Sequence, residues 1–186
     1  MEAEKERCAW CLKTPLYRDY HDLEWGKPVR DDAKMFEFLI LETFQAGLSW
    51  LTILNKREHF RTAFDQFDVQ KVAAYEHDKI MELLENPAII RNKLKIYAAI
   101  TNAQAYIRVQ QEFGTFCNYL WGFVNHKPIE NEFTSLKQIP AKTALSDAIS
   151  KDLKRRGFKF VGSTTIYAHM QATGMVNDHL LQCDFR

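Results

Sequence analysis

Apolar residues recur at intervals of three and four along most of the chain, which is the period of amphipathic helices. The first strong segment begins after Asp31-Asp32 and contains four apolar residues at this spacing: Met35, Phe36, Leu39 and Ile40. Gly47 stands where a helix commonly ends, and Ser49 is a favourable N-cap for a second helix from Trp50 to about Phe64. The pattern therefore predicts two helices joined by a tight corner, Gln45–Leu48, with an exposed apolar tip.

The rest of the chain continues in the same way. Runs of strict alternation are short, and residues 125–140 are loop-like, so the predicted class is all-α. The further helices that we predict are Asp68–Tyr75, Asp78–Leu84, Lys93–Phe113, Phe116–Val124, Thr143–Arg156 before Gly157, and a last apolar helix ended by Gly174.

Composition narrows the class without identifying a function. The chain has 186 residues, 46% of them hydrophobic, and a formal net charge of +1, which suits one compact domain and indicates neither nucleic acid nor membrane as a partner. We expect residues 1–7 to form a flexible extension and residues 8–186 a single domain. No apolar run could span a bilayer or act as a signal peptide, so we expect a cytoplasmic protein whose four cysteines are thiols or metal ligands.

Aromatic residues are dense in the segment interrupted by Pro15 and Pro28, to which the pattern assigns no helix. They are Trp10, Tyr17, Tyr20 and Trp25. These rings either cover the edge of the core or form a pocket in which a planar base stacks. Glu42 has the same two interpretations, because a lone acid in an apolar run either points to solvent or lies inside such a pocket.

A possible metal site joins the two ends of the sequence. His179 and Cys183 are four residues apart, so one helical turn would place both on the same face. Cys8 and His21 could complete a closed tetrahedral zinc site of the structural kind, although Cys11 could replace one of them. Cys117 lies within an apolar helix and is predicted to be a buried structural residue.

Basic residues cluster in three places: Lys56-Arg57, Arg91–Lys95 and Lys151–Lys159. Such clusters are usually solvated helix faces, and less often they face phosphates. The cluster at Arg91 follows a short corner between two predicted helices, a layout that can present backbone amides to a phosphate. Any helical hairpin looks similar, and the glycines typical of DNA-binding hairpins are missing there.

Four motifs in order resemble the 3-methyladenine DNA glycosylase I family: Tyr20–Gly26, Leu41–Trp50, Arg156–Gly162 and Val176–His179. The similarity extends from Cys8 to Cys183. It implies the helix-hairpin-helix DNA glycosylase fold, with the base pocket between two helical lobes. It also implies a monofunctional glycosylase that excises 3-methyladenine from alkylated double-stranded DNA and so starts base excision repair.

The resemblance further implies roles for individual residues. Glu42 is the expected catalytic acid, and a structural zinc is expected on Cys8, His21, His179 and Cys183, which favours His21 over Cys11. The rings expected around the base are Tyr20, Trp50, Trp10, Tyr17 and Trp25. The residues expected to contact DNA are Gln45, Gly47 and Leu48 in the corner, and Arg91 and Lys93 in the hairpin.

No organic cofactor is expected, and the protein is expected to be a monomer. The competing hypothesis is a zinc-stapled DNA-binding module without glycosylase activity, which would bind DNA without releasing a base. A zinc hydrolase would need an open metal position, which a Cys/His quartet does not indicate.

Overall fold

A computed structural model describes residues 5–186, and within them the chain is mostly helical. The helices are α1 (Pro15–Leu23), α2 (Asp32–Gln45), α3 (Trp50–Ala63), α4 (Val69–Ala73), α5 (His77–Glu85), α6 (Lys93–Phe113), α7 (Phe116–Gly122), α8 (Ala144–Arg155) and α9 (Ser163–Ala172). Strands β1 (Ile129–Glu130) and β2 (Val176–Asn177) form a short parallel pair. The all-α prediction is therefore confirmed in its main feature, with β1 added inside the segment 125–140 that was predicted to be loop-like and β2 added after the last helix.

Helix α1 is the main element that the apolar pattern missed. Thr14 caps it by accepting a hydrogen bond from the backbone N–H of Tyr17, and Pro15 occupies its first position. Proline is tolerated there because the first amides of a helix have no partner within the helix. The proline that we interpreted as an interruption is thus the start of a helix, and it brings Tyr17, Tyr20 and His21 onto one element.

The predicted helix starts are mostly correct. The side chains of Asp31, Ser49 and Asp68 each accept a backbone hydrogen bond at the start of α2, α3 and α4 respectively. The prediction that Asp78 caps and starts the next helix was wrong, because α5 begins at His77 and Asp78 lies in its first turn. An acidic side chain is favourable in that turn as well, since it interacts with the positive end of the helix dipole.

A buried ion network fixes α1, α2 and α3 relative to one another. Arg57 of α3 donates to Glu24, which ends α1, at 2.8 and 2.9 Å, and to Glu37 of α2 at 2.6 Å. The side chain of Arg57 is only 6% exposed, and removing a partner from such a buried charge is costly. The network therefore sets the relative positions of the three helices that carry Tyr20, Glu42 and Trp50.

Helices α8 and α9 form a helical hairpin, in which residues 156–162 join the two helices. Gly157 and Phe160 both have positive φ angles, of 97° and 55°. The buried Asn102 holds this connection from α6, because its side chain bonds both the backbone N–H and the carbonyl of Lys159, at 2.7 and 3.0 Å. A bulky residue in the left-handed region persists only where its surroundings fix it, so the shape of this connection is held by the core.

Residues 1–4 lie outside the described residues, so the expected flexible extension can be followed only in part. Glu6 donates its backbone N–H to the carboxylate of Asp184, and Arg7 pairs with Asp22 at 2.8 Å. Within the described part of the chain, no helix combines the length and the apolar character needed to cross a membrane.

Candidate functional site

The cavity that contains Glu42 has a volume of about 220 Å³. It is lined by residues from α1, α2, α3 and α9, from the segment before α1 and from two connections: Trp10, Tyr17, Tyr20, Trp25, Glu42, Gln45, Trp50, Ile139, Ala168 and Gln171. Pockets for drug-sized ligands measure roughly 300–1,000 Å³. This smaller cavity suits a ligand of the size of a single nucleobase.

Among residues 5–186, Glu42 is the only carboxylate that lines the cavity. It is 4% exposed, and its Oε2 atom has no hydrogen-bond partner. Burial raises the pKa of Glu42 from 4.5 to about 8, because the charged form loses its hydration. An unpaired acid inside a cavity is costly unless a ligand supplies the missing partner. Of the two interpretations of Glu42, the structure selects the buried one.

All five predicted aromatic residues line the same cavity. The rings of Tyr20 and Trp50 lie 5.4 Å apart between centroids, and Trp10 contacts Tyr17 at 4.9 Å and Trp25 at 5.0 Å. The indole N–H of Trp50 is buried without an acceptor. The cavity thus offers ring faces together with two polar atoms, on Glu42 and Trp50, that lack partners.

The corner between α2 and α3 is a tight turn. The N–H of Leu48 bonds the carbonyl of Gln45, Ala46 has φ −47° and ψ 115°, and Gly47 has φ 81°. These values define a type II turn, in which the third residue needs a positive φ and is therefore usually glycine. Gln45 lines the cavity, whereas Leu48 is 41% exposed. The predicted exposed apolar tip is confirmed.

Three cavity-lining residues were not anticipated from the sequence: Ile139, Ala168 and Gln171. Ala168 and Gln171 are three residues apart on α9, so helical spacing alone could have placed them on one face. The side chain of Gln171 donates to Asp178 at 2.8 Å, which fixes the orientation of its amide. Ile139 lies in an irregular segment and carries no comparable signal.

Four possible metal ligands from opposite ends of the sequence lie close together in space: Cys8, His21, His179 and Cys183. Their four ligand atoms all lie within 4.8 Å of one another, and all four residues are buried. The segment from His179 to Cys183 is not helical, because it contains a turn in which the N–H of Cys183 bonds the carbonyl of Leu180. The predicted helical turn was wrong, but the predicted proximity is confirmed, and Cys11 lies outside the cluster.

The surroundings of this cluster suit a metal ion. His21 donates from Nδ1 to Asp22 at 2.7 Å, and His179 donates from Nε2 to the carbonyl of Trp25 at 3.1 Å. These bonds leave Nε2 of His21 and Nδ1 of His179 free to bind a metal, as outer-shell partners of zinc-bound histidines commonly do. Burial also lowers the pKa of His179 to about 4, so its ring is neutral. Burial raises the pKa of the Cys8 thiol to about 12, which a divalent cation would reverse.

Of the two residues predicted in the DNA-binding hairpin, Arg91 lies in the connection between α5 and α6, and Lys93 is the first residue of α6. Arg91 and Lys93 are both exposed, and the ammonium of Lys93 lies 5.9 Å from the centre of the Tyr97 ring. The connection is braced from α3, because Lys56 donates to the carbonyl of Ala88 at 3.0 Å. The side chain of Asn92 caps α6 by accepting from the N–H of Lys95.

A mostly helical fold with a buried acid at the wall of an aromatic, base-sized cavity defines the class of helical DNA glycosylases. Within that class, the family model described as methyladenine glycosylase matches residues 10–186, and the chain belongs to this family.

Individual relatives are similar over nearly their whole length. The chain is 51% identical over 178 residues to DNA-3-methyladenine glycosylase 1 of Escherichia coli, which covers 96% of this chain and 95% of the relative. It is 48% identical to DNA-3-methyladenine glycosylase of Haemophilus influenzae, over 95% of this chain and 96% of the relative.

The fold is also similar to solved structures. A crystal structure of 3-methyladenine DNA glycosylase I superimposes with a TM-score of 0.93 at 47% identity, over 96% of this chain and 98% of the other. A structure concerned with 3-methyladenine recognition by the Staphylococcus aureus enzyme gives a TM-score of 0.94 at 37% identity, over 98% and 97%.

Proposed function

We propose that this protein is a DNA-3-methyladenine glycosylase, which hydrolyses the N-glycosidic bond of 3-methyladenine in alkylated DNA and so starts base excision repair. One observation carries the proposal. It is the unpartnered carboxyl group of Glu42 inside a ring-lined cavity of about 220 Å³. The relatives that bear this activity in their names support it.

The substrate supplies part of the driving force. Methylation at N3 leaves adenine positively charged in the nucleotide, which weakens the glycosidic bond and makes the base a good leaving group. The enzyme must first extrude the nucleotide from the duplex, at a cost of roughly a few kcal/mol that is lower for a damaged base. Water then bonds to the sugar carbon as the C–N bond breaks. The electrons of that bond stay with the base, which leaves as neutral 3-methyladenine, and the water releases one proton to solvent, so the other product is an abasic site.

Glu42 recognises and orients the base in this proposal. Its carboxyl group accepts a hydrogen bond from the exocyclic amine, which supplies the partner missing at Oε2. In the empty pocket, the pKa of about 8 favours the neutral acid at neutral pH. A cationic base beside it lowers that pKa, so binding and ionisation reinforce each other.

The aromatic residues provide discrimination. Tyr20 and Trp50 stack on the base, with Trp10, Tyr17 and Trp25 completing the wall. Ring faces attract a cation more than a neutral base of the same shape, which favours 3-methyladenine over adenine.

In the part of the chain that the structure describes, no second acid lines this cavity to activate water. Asp178 contacts Gln171 of the cavity wall, but its carboxylate already accepts hydrogen bonds from Tyr167, Gln171 and Asn131. We therefore assign the rate mainly to the lability of the substrate and to its orientation by Glu42.

The corner Gln45–Leu48 contacts DNA next to the cavity. Leu48 inserts into the stack vacated by the extruded nucleotide, as apolar wedge residues of DNA-bending proteins do. Gly47 permits the turn that projects Leu48, and Gln45 lies between the wedge and the base.

Two hairpins are candidates for binding the DNA backbone. One is the α5–α6 hairpin, in which Arg91 lies in the connection and Lys93 begins α6. The α8–α9 connection has the glycines that the other hairpin lacks, Gly157 and Gly162. Lys159 is exposed there and, among the described residues, has no carboxylate partner. We propose that the α8–α9 hairpin contributes phosphate contacts alongside Arg91 and Lys93.

A single zinc ion on Cys8, His21, His179 and Cys183 is the metal that this donor set suits best, since two thiolates and two imidazoles form a closed tetrahedral site. Such an ion has no open position for substrate, so its role is to hold the N-terminal and C-terminal segments together. Within the proposal the protein is monomeric and cytoplasmic, residues 8–186 form one glycosylase domain, and no organic cofactor is needed.

The deciding experiment is incubation with duplex DNA treated with a methylating agent, followed by chromatographic identification of the released base. We expect free 3-methyladenine and no release of adenine from untreated DNA. Binding to DNA without any base release would favour the competing hypothesis of a zinc-stapled binding module.

A further inference from the structure

Lys95 holds the corner between α2 and α3 from the neighbouring helix. Its ammonium group donates to the carbonyl of Phe44 at 2.8 Å and to that of Ala46 at 2.6 Å. The residue is 5% exposed, although it lies in the first turn of α6. One buried side chain thus connects α6 with the end of α2.

This position is unfavourable for a lysine in two respects. Lysine is rarely buried without a partner of opposite charge, and burial lowers the pKa of Lys95. A cation in the first turn of a helix also opposes the dipole of that helix. Within residues 5–186, Lys95 forms no ion pair with a carboxylate. Its own helix therefore does not account for its presence.

The end of α2 does account for it. The last carbonyls of a helix have no partner within the helix, and a cation near them is favourable. Phe44 and Ala46 supply such carbonyls, on either side of Gln45, which lines the cavity. Ala46 is also the second residue of the turn that projects Leu48.

We infer that Lys95 is a positioning residue that holds the Gln45–Leu48 corner in the shape in which Leu48 enters DNA. The inference rests on the proposed function. Lys95 acts through the corner and does not itself touch the duplex, because both of its hydrogen bonds are made to protein carbonyls.

The test is Lys95→Met, which keeps the length and the apolar stem but removes the donors. Two affinities are measured, one for free 3-methyladenine through tryptophan fluorescence and one for a duplex with a single abasic site. We expect the affinity for the free base to stay within about twofold of the parent. The affinity for the abasic duplex should fall about tenfold, the effect of losing a charged hydrogen bond. An equal loss of both affinities would show that Lys95 maintains the whole pocket and would overturn the inference.

A double-mutant cycle with Leu48→Ala separates positioning from direct contact. If Lys95 acts through the wedge, Lys95→Met should have little further effect on abasic-duplex binding once Leu48 is truncated. Full additivity would contradict the inference. The salt dependence gives a further check. If Lys95→Met reduced the magnitude of the slope of log affinity against log salt by about one, Lys95 would itself contact a phosphate, which would also contradict the inference.

Three further variants complete the design. Lys71→Met removes a cation that is exposed on α4 and should change neither affinity. Lys95→Arg keeps a charged donor and should recover part of the duplex affinity. Lys95→Gln replaces Lys95→Met in the test if Lys95→Met does not fold. Loss of free-base binding in both variants would count against the inference. Base release by the parent is measured in parallel, so that failure of the proposed activity is seen separately.

Discussion

At the scale of single residues, the electrostatics of Glu42 are the central feature of the molecule. Within the described residues no cation forms an ion pair with its carboxyl group, and burial raises its pKa to about 8. The protein therefore keeps an acid in a place where ionisation is unfavourable, and in the proposed function a cationic base offsets this cost. The buried acid lowers the stability of the ligand-free protein. Groups with strongly shifted pKa values are common at functional sites.

The cost of Glu42 can be measured as a dependence of stability on pH. The pKa is about 8 in the folded protein and near 4.5 when unfolded, so the folded state binds more protons between these values. The free energy of unfolding should therefore fall as pH rises through this window, by at most ~1.4 kcal/mol per pH unit from this group. Glu42→Gln removes the titration, so its stability relative to the parent should increase from pH 5 to pH 8 and level off above.

Urea denaturation of both proteins across this range provides the measurement. Other titrating groups are common to the two proteins and cancel in the difference. A difference that stays constant with pH would contradict a raised pKa at Glu42.

The same substitution should impair excision. Glutamine keeps a hydrogen-bonding carbonyl but carries no negative charge, so it loses the attraction to the cationic base. We expect Glu42→Gln to lower kcat/KM for 3-methyladenine release at least about tenfold, with Glu58→Gln as a control at an exposed acid. Unchanged excision would remove any role for the carboxylate.

At the scale of secondary-structure elements, local sequence signals predicted where helices begin and end better than they predicted which side chains pack between helices. The caps at Asp31, Ser49 and Asp68 are set by a few neighbouring residues and could be read directly. Helix α1 could not, because an internal proline and a proline at the first position look alike without the cap at Thr14. The burial of Lys95 and the orientation of Gln171 depend on elements distant in sequence, so no local pattern reveals them.

The two hairpins differ in a way that mutation can resolve. Each exposed lysine or arginine that neutralises a phosphate increases the magnitude of the negative slope of log affinity against log salt by about 0.9. We expect Lys159→Ala to weaken binding to abasic duplex about equally for all sequences and to lower that slope by about one. Arg91→Ala and Lys93→Ala test the other hairpin in the same titration. Lys71→Ala controls for the change in overall charge, and an unchanged slope for Lys159→Ala would exclude the α8–α9 hairpin as a phosphate contact.

At the scale of the whole molecule, the Cys/His cluster joins segments that are more than 150 residues apart in sequence. Cys8 and His21 flank Trp10 and precede Trp25, and both of these rings line the base cavity. His21 is also adjacent to Tyr20 on α1. A metal at the cluster would thus stabilise the same segment that forms one wall of the cavity, which connects metal binding with base binding.

Removal of the metal should therefore affect stability before chemistry. We expect the purified protein to contain one equivalent of zinc, and chelation to lower the melting temperature by roughly 5–10 °C, which corresponds to a loss of ~2–3 kcal/mol. Cys8→Ser should abolish stoichiometric zinc, whereas Cys11→Ser should retain it, because Cys11 is buried nearby but lies outside the cluster. The pair of variants also tests the two alternative quartets that the sequence left open, in which Cys11 replaces either Cys8 or His21. Zinc loss in Cys11→Ser with retention in Cys8→Ser would reverse the assignment.

Because the cluster supports the segment that carries Trp10 and Tyr20, the metal-free protein should also bind free 3-methyladenine more weakly. Re-addition of zinc should restore the melting temperature and the affinity for the base together.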